Sequence, residues 1–169
     1  MKKIAILVLL AIIPGFIMAQ DVIDNLIKKY QDKDGFTTIL IHKDLFEMVA
    51  SIDNDEDLAK MKGMIENIRI IAMESDSVKN VNFYKEIISQ LNVSSYKELM
   101  KIKQTGEDVI FYAKYNNNLI EELLLIAGGN NENAVISIKG KINLKDLAAI
   151  SKSVHIDGFE YMEKLDKEN

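Results

Sequence analysis

The sequence predicts an α+β fold: an antiparallel four-stranded meander plus two further strands in one sheet, with helices packed on one face. Two observations carry this. In the first half of the chain, stretches with apolar residues at i, i+3, i+4 and i+7 alternate with short β-branched runs, the pattern of amphipathic helices interleaved with strands. From about residue 96 the period changes to two, interrupted by Gly and Asn at regular intervals, as in strands joined by tight hairpins. A sheet of this kind must bury one face under helices.

The first element is not part of that domain. Lys2 and Lys3 precede an unbroken apolar run, Ile4 to Ile13, then the helix-breaking pair Pro14-Gly15 and a small residue at Ala19. This order of charge, apolar run, breaker and small residue reads as a signal peptide over residues 1–19, cut between Ala19 and Gln20. The competing reading is an uncleaved anchor, but the apolar stretch is short of the roughly 20 residues a spanning helix needs. No second run of spanning length follows, so the mature chain is expected not to insert into a membrane. The sequence contains no cysteine. It therefore has neither disulfides nor the lipidated cysteine of a bacterial lipoprotein. The expected location is the periplasm or the exterior. Residues 20–169 have the length of one domain, enough for an ordinary hydrophobic core.

Asp21 to Tyr30 is a helix with Val22, Ile23, Leu26 and Ile27 on one stripe, acids early and lysines late, as the helix dipole favours. Asp32-Lys33-Asp34-Gly35 is a turn and Phe36 to His42 a β-branched strand. Lys43 to Ile52 is a helix with Leu45, Met48, Val49 and Ile52 in phase. A further helix is expected from Asp57, with Leu58, Met61, Ile65 and Ile68 in phase and Asp53, Asp55, Glu56 and Asp57 at its start. Ile68 to Met73 is apolar at nearly every position, a strand covered on both faces. Val81 to Leu91 is a helix directing Phe83, Tyr84, Ile87, Ile88 and Leu91 to the core. The meander then runs through Tyr96–Gln104, Asp108–Tyr115, Leu119–Ala127 and Ala134–Ile142, with turns at Thr105-Gly106, Asn116-Asn117-Asn118 and Gly128-Gly129-Asn130-Asn131. Asn143 caps a last helix carrying Leu144, Leu147, Ala148 and Ile150, and the tail from His155 adds a short helix through Phe159 and Tyr161. Strand order is not readable from the pattern.

Charge narrows the function. The formal charge is −5; without Lys2 and Lys3, 19 basic residues face 26 acidic ones, giving −7. A domain this acidic, with Arg69 as its single arginine, lacks the basic surface that nucleic acid or an anionic membrane requires. The motifs exclude more. Asp53-x-Asp55-x-Asp57 resembles the opening of a calcium loop, but Leu58 and Met64 stand where Gly and Glu are needed. Asp32-x-Asp34-Gly35 fails in the same way, with Tyr30 and Ile41 at the ligand positions. His42 and His155 are the two histidines and have no metal-ligand spacing. Nucleophile elbow, P-loop and dinucleotide fingerprint are absent. The sequence therefore assigns no catalytic residue, metal or cofactor.

Glu121 and Glu122 are adjacent on a strand, so their side chains point to opposite faces and one of them faces inward, where a carboxylate needs a partner. A hydrolase using one of them with His42 is the catalytic alternative; an exposed or twisted strand start is the simpler reading. Met100, Ile102, Ile110 and Tyr112 are a candidate binding face if the helices cover the other side, and core residues otherwise. Asn92-Val93-Ser94 fits an N-glycosylation sequon. Asp76-Ser77-Val78 fits a short O-glycosylation pattern of bacteroidetes, making Ser77 a candidate acceptor in a loop.

The passages Tyr96–Met100, Glu107–Tyr112, Ile120–Leu125 and Ile136–Leu147 together resemble the domain-of-unknown-function family 4252 (DUF4252), small exported bacteroidete proteins. The most specific pieces are the Glu-Leu-apolar strand and the passage Ile-Ser-Ile-Lys-Gly-Lys-Ile-Asn-Leu-Lys-Asp-Leu, where Asn143 replaces a frequent Asp. The resemblance supplies no catalytic residues. It implies an envelope protein whose gene can neighbour extracytoplasmic sigma factors, hence a stress-linked regulatory role as the alternative. The reading of the sequence is a non-catalytic exported module that binds an envelope protein, its oligomeric state open.

Overall fold

The computed structural model describes residues 21–52, 62–74, 78–130 and 132–143. The expected signal segment, the start of the helix expected from Asp57, the acidic run Asp53–Asp57, Ser77, the expected last helix and the tail lie outside them. Among the described residues the chain forms α1 (Val22–Tyr30), β1 (Phe36–His42), α2 (Lys43–Ile52), β2 (Ile65–Met73), α3 (Phe83–Ile88), β3 (Lys97–Gln104), β4 (Glu107–Asn116), β5 (Leu119–Gly129) and β6 (Asn133–Ile142). A single 3₁₀ turn, Val93–Ser95, leads into β3.

All six strands join one antiparallel sheet in the order β1-β2-β6-β5-β4-β3. The expected meander is present as β3 to β6, and β2 closes the sheet by pairing with β6, Ile68 opposite Ile138. Several boundaries differ from the expectation, and the helix expected over Val81–Leu91 spans only Phe83–Ile88. Ile65 starts β2 instead of continuing a helical stripe. Gly128 and Gly129 end β5 instead of forming the turn. Backbone proximity explains the glycine at 128: a Cβ there would lie 2.3 Å from the Tyr84 nitrogen, so Gly128 lets α3 approach β5.

Period-two alternation sends apolar side chains to both faces of the sheet. On one face Ile71, Ile110, Tyr112, Leu124, Ile126 and Val135 pack with Ile23, Leu26, Ile27 and Tyr30 of α1 and Phe83 and Ile87 of α3. On the other face Ile68, Phe111, Leu123, Ile136 and Ile138 form a second cluster that includes Phe46 of α2. The helices are thus not confined to one face, as the sequence pattern suggested. The reason lies in the sequence of the central strands: β4, β5 and β6 are apolar on both sides, so each face needs cover.

Candidate functional site

Two strands carry a charge at an inward position. Arg69 interrupts the apolar run of β2, and Glu122 precedes the Leu123–Ile126 run of β5; they are only 7 % and 5 % exposed. A buried charge must be paired and hydrogen-bonded, and the register supplies the partners. Arg69 lies directly opposite Ser137 on β6. Its Nη2 donates to Ser137 Oγ at 2.8 Å and to Glu122 Oε1 at 3.0 Å. Ser137 Oγ donates to Glu122 Oε1 at 2.6 Å, and the Tyr96 hydroxyl donates to Glu122 Oε2 at 2.6 Å.

Helix α1 completes the cluster from above. Asp21 caps its N-terminus by accepting from the Ile23 N–H at 2.9 Å. Arg69 Nη1 donates to Asp21 Oδ2 at 3.0 Å and to Asp24 Oδ1 at 2.6 Å, and Lys139 Nζ donates to Asp21 Oδ2. Three carboxylates therefore face two cations. A lone guanidinium beneath a helix N-terminus would oppose the dipole; the two aspartates of the first turn offset it. Burial works against the Arg69 charge, but Asp21 and Asp24 outweigh it and the guanidinium holds its proton more tightly than usual. Burial would raise the Asp21 carboxyl; the Lys139 hydrogen bond and the Arg69 charge overcome this and hold it below the usual carboxylate range. Burial, then the bond to Glu122, push the Tyr96 phenol well above its normal range.

A shallow cleft of about 360 Å³ opens beside this cluster, at the end of the sheet where β2 and β5 carry bulges. Glu66, Lys114, Glu121, Glu122, Lys139 and Lys141 contribute to its wall. Within it Lys114 lies 3.5 Å from Glu121, which also accepts from Asn116 Nδ2 at 2.7 Å. Among the described residues no group of three His, Asp or Glu side chains could hold a metal ion. No helix among them is long and apolar enough to cross a membrane.

The residues singled out from the sequence fall in different places. Glu122 is the inward carboxylate of the adjacent pair and Glu121 is the bulge residue beside it. His42 is exposed at the end of β1. It shares a row with Asn67, Lys139 and Glu122, with β2 and β6 lying between His42 and Glu122. Three strand spacings make that separation about 14 Å, and Glu122 spends its acceptor capacity on Arg69, Ser137 and Tyr96. The geometry assembles no base and nucleophile from this pair. The proposed binding face is divided: Met100 and Ile102, opposite Phe111 and Val109, lie half-buried on the face of Phe46. Ile110 and Tyr112 are buried under the helices on the opposite face. Arg69 is the residue that sequence reasoning passed over. The signal was available: a single arginine inside an apolar strand, and a carboxylate at an inward position of another, must find each other.

Exposed apolar side chains concentrate elsewhere. Ile39 and Leu40, 44 % and 50 % exposed, lie on β1, an outer strand of the sheet, and Leu45 and Met48 on α2, which follows it directly.

The family model described as "Domain of unknown function (DUF4252)" matches residues 30–150, more than half of the chain. Among curated proteins, U-box domain-containing protein 6 of Arabidopsis thaliana is 27% identical over 86 residues, 48% of this chain and 11% of that protein. The chain thus spans about a tenth of the length of that relative. No solved structure matches.

Proposed function

The chain belongs to the DUF4252 family, and on that premise we propose that it is a non-catalytic binding module of the cell envelope, exported by residues 1–19 and released by cleavage between Ala19 and Gln20. One observation carries the binding role: four large apolar side chains, Ile39, Leu40, Leu45 and Met48, stand exposed within ten consecutive residues. Ile39 and Leu40 point to opposite faces of β1, so the exposed apolar side chains flank this margin of the sheet on both sides, and exposed apolar surface along one margin supports an interaction site. The use of Glu122 as a structural acceptor supports the same reading, because it removes the inward carboxylate from chemistry. The acidic surface suits a freely diffusing module rather than one bound to anionic lipid.

The test is capture of tagged protein from its own envelope, comparing the wild-type chain with Leu45→Asp/Met48→Asp. A reproducible partner that the double variant loses supports the module. Capture unaffected by the variant, or no partner at all, defeats it. Export is checked on the same material by intact mass, which is to begin at Gln20.

A further inference from the structure

The two outer strands of the sheet are guarded very differently. A sheet edge presents backbone N–H and C=O groups that can pair with another strand, and proteins blunt such edges with lysines, bulges or cover. The β3 edge has such guards: Lys97, Lys101 and Lys103 within eight residues and a bulge between Glu98 and Met100. Among the described residues the β1 edge has none. Phe36-Thr37-Thr38-Ile39-Leu40-Ile41 contains no charge, no proline and no glycine. It pairs in unbroken register with β2 from Phe36 to His42, and among the described residues no strand lies on its other side.

We propose that the β1 edge pairs with β1 of a second copy of this chain, joining two six-stranded sheets into one across a two-fold axis at Ile39. The inference rests on reading the β1–α2 margin as an interaction surface, and it names the occupant. Three features of the strand select a second copy. Ile39 is the middle residue of the seven in β1, so an antiparallel partner centred there pairs the strand along its full length. Such a two-fold interface uses the same patch on both chains and must be self-complementary. Here Ile39 meets Ile39 of the copy, Thr38 meets Leu40 and Thr37 meets Ile41, all pairs of β-branched or apolar side chains suited to cross-strand contact. Finally, the uncharged strand brings no like charges together. The same operation at β3 would set Lys97 against Gln104, Lys101 against Met100 and Lys103 against Glu98, and the bulge between Glu98 and Met100 breaks the regular edge that such pairing needs.

The chain lacks cysteine, so a single introduced thiol reports the register without interference. In a two-fold strand pair the axial residue faces itself at a separation within disulfide reach. Ile39→Cys is expected to oxidise to a covalent dimer at least about tenfold faster than Lys101→Cys on the guarded edge, and sedimentation of the unmodified full chain is expected to show a concentration-dependent dimer below about 100 µM. Ile39→Lys, which charges the edge without entering the core, is expected to weaken that dimer by about tenfold or more, and Lys101→Glu to leave it unchanged. A monomer throughout that range overturns self-pairing and leaves the edge to a strand of another protein. A dimer indifferent to Ile39→Lys, or equal crosslinking at the two edges, also overturns it. Envelope capture tests the module reading independently, because self-association is measured on purified protein alone.

Discussion

Arg69 and Glu122 meet at 3.0 Å although β6 lies between their strands. The long guanidinium side chain spans that strand beside Ser137, and its Nη1 turns up to Asp21 and Asp24 at the start of α1. One side chain thus joins β2, β6, β5 and the first helix. Buried ion pairs contribute little net stability compared with an apolar substitute, but breaking one side is costly because the other charge stays buried.

Replacing Arg69 alone should therefore be severe. Arg69→Met leaves Glu122 without its counter-ion, and urea denaturation is expected to show a loss of about 3–5 kcal/mol. The double variant Arg69→Met/Glu122→Leu should recover much of that loss. If the double variant is as unstable as the single one, the ion pair is not the source.

Asp21 offers a clean measure of charge, because asparagine caps a helix as well as aspartate does. Asp21→Asn is expected to cost about 1–2 kcal/mol at pH 7 through the lost pairing with Arg69 and Lys139. The folded carboxyl titrates below its ordinary value of 3.8. Its contribution is therefore present above that pH and lost as the pH falls through the lower folded value. The gap between wild type and variant should close on acidification below pH 3.8, as read by denaturation at stepped pH.

Tyr96→Phe removes the donor to Glu122 Oε2 and keeps the ring that packs on Tyr112 at a centroid distance of 5.9 Å. The expected cost at neutral pH is about 1–3 kcal/mol for a buried acceptor left unsatisfied. The folded phenol titrates above its ordinary value of 10.0, so the benefit of its proton is complete below that pH and fades as the pH rises towards the folded value. Alkaline denaturation series of the two proteins should converge above pH 10 and run parallel below it.

Gly140 is where β6 passes the start of β2 too closely for a side chain. A Cβ there would stand 1.9 Å from the Met64 carbonyl oxygen, a backbone atom that cannot rotate away. Gly140→Ala is expected to lose at least about 1–3 kcal/mol by forcing the strands apart. Thermal unfolding close to wild type would show that the bulge yields instead.

Much of this architecture could be read in the chain beforehand, and the omissions have physical causes. Local patterns located the strands: β1 matches its expected span, and the meander strands differ by one or two residues at their ends. Turn chemistry at Thr105-Gly106 and Asn116-Asn117-Asn118 is equally local. Part of what escaped was long-range. The pairing of β2 with β6 depends on which apolar faces fit, and no single segment encodes that choice. Met100 and Ile102 parted from Ile110 and Tyr112 for a local reason: the two-residue turn at Thr105-Gly106 pairs Met100 with Phe111 and Ile102 with Val109, so even-numbered residues of β3 share a face with odd-numbered residues of β4. Ile65 was drawn into a helix because its spacing to Met61 fits a helical turn, while pairing with Gly140 makes it the first residue of a strand.

The pairing of Ile68 with Ile138 has a consequence in time as well as in space. Contacts between residues seventy positions apart are slow to form, because a long loop must be closed before they reward the chain. The β3–β6 meander can assemble from neighbours, but β1 and β2 make only a two-stranded piece, marginal by itself. A chain delivered N-terminus first therefore keeps its leading third unfinished until β6 arrives. Its refolding should be limited by this final docking, and through that interval its first two strands stay unfixed.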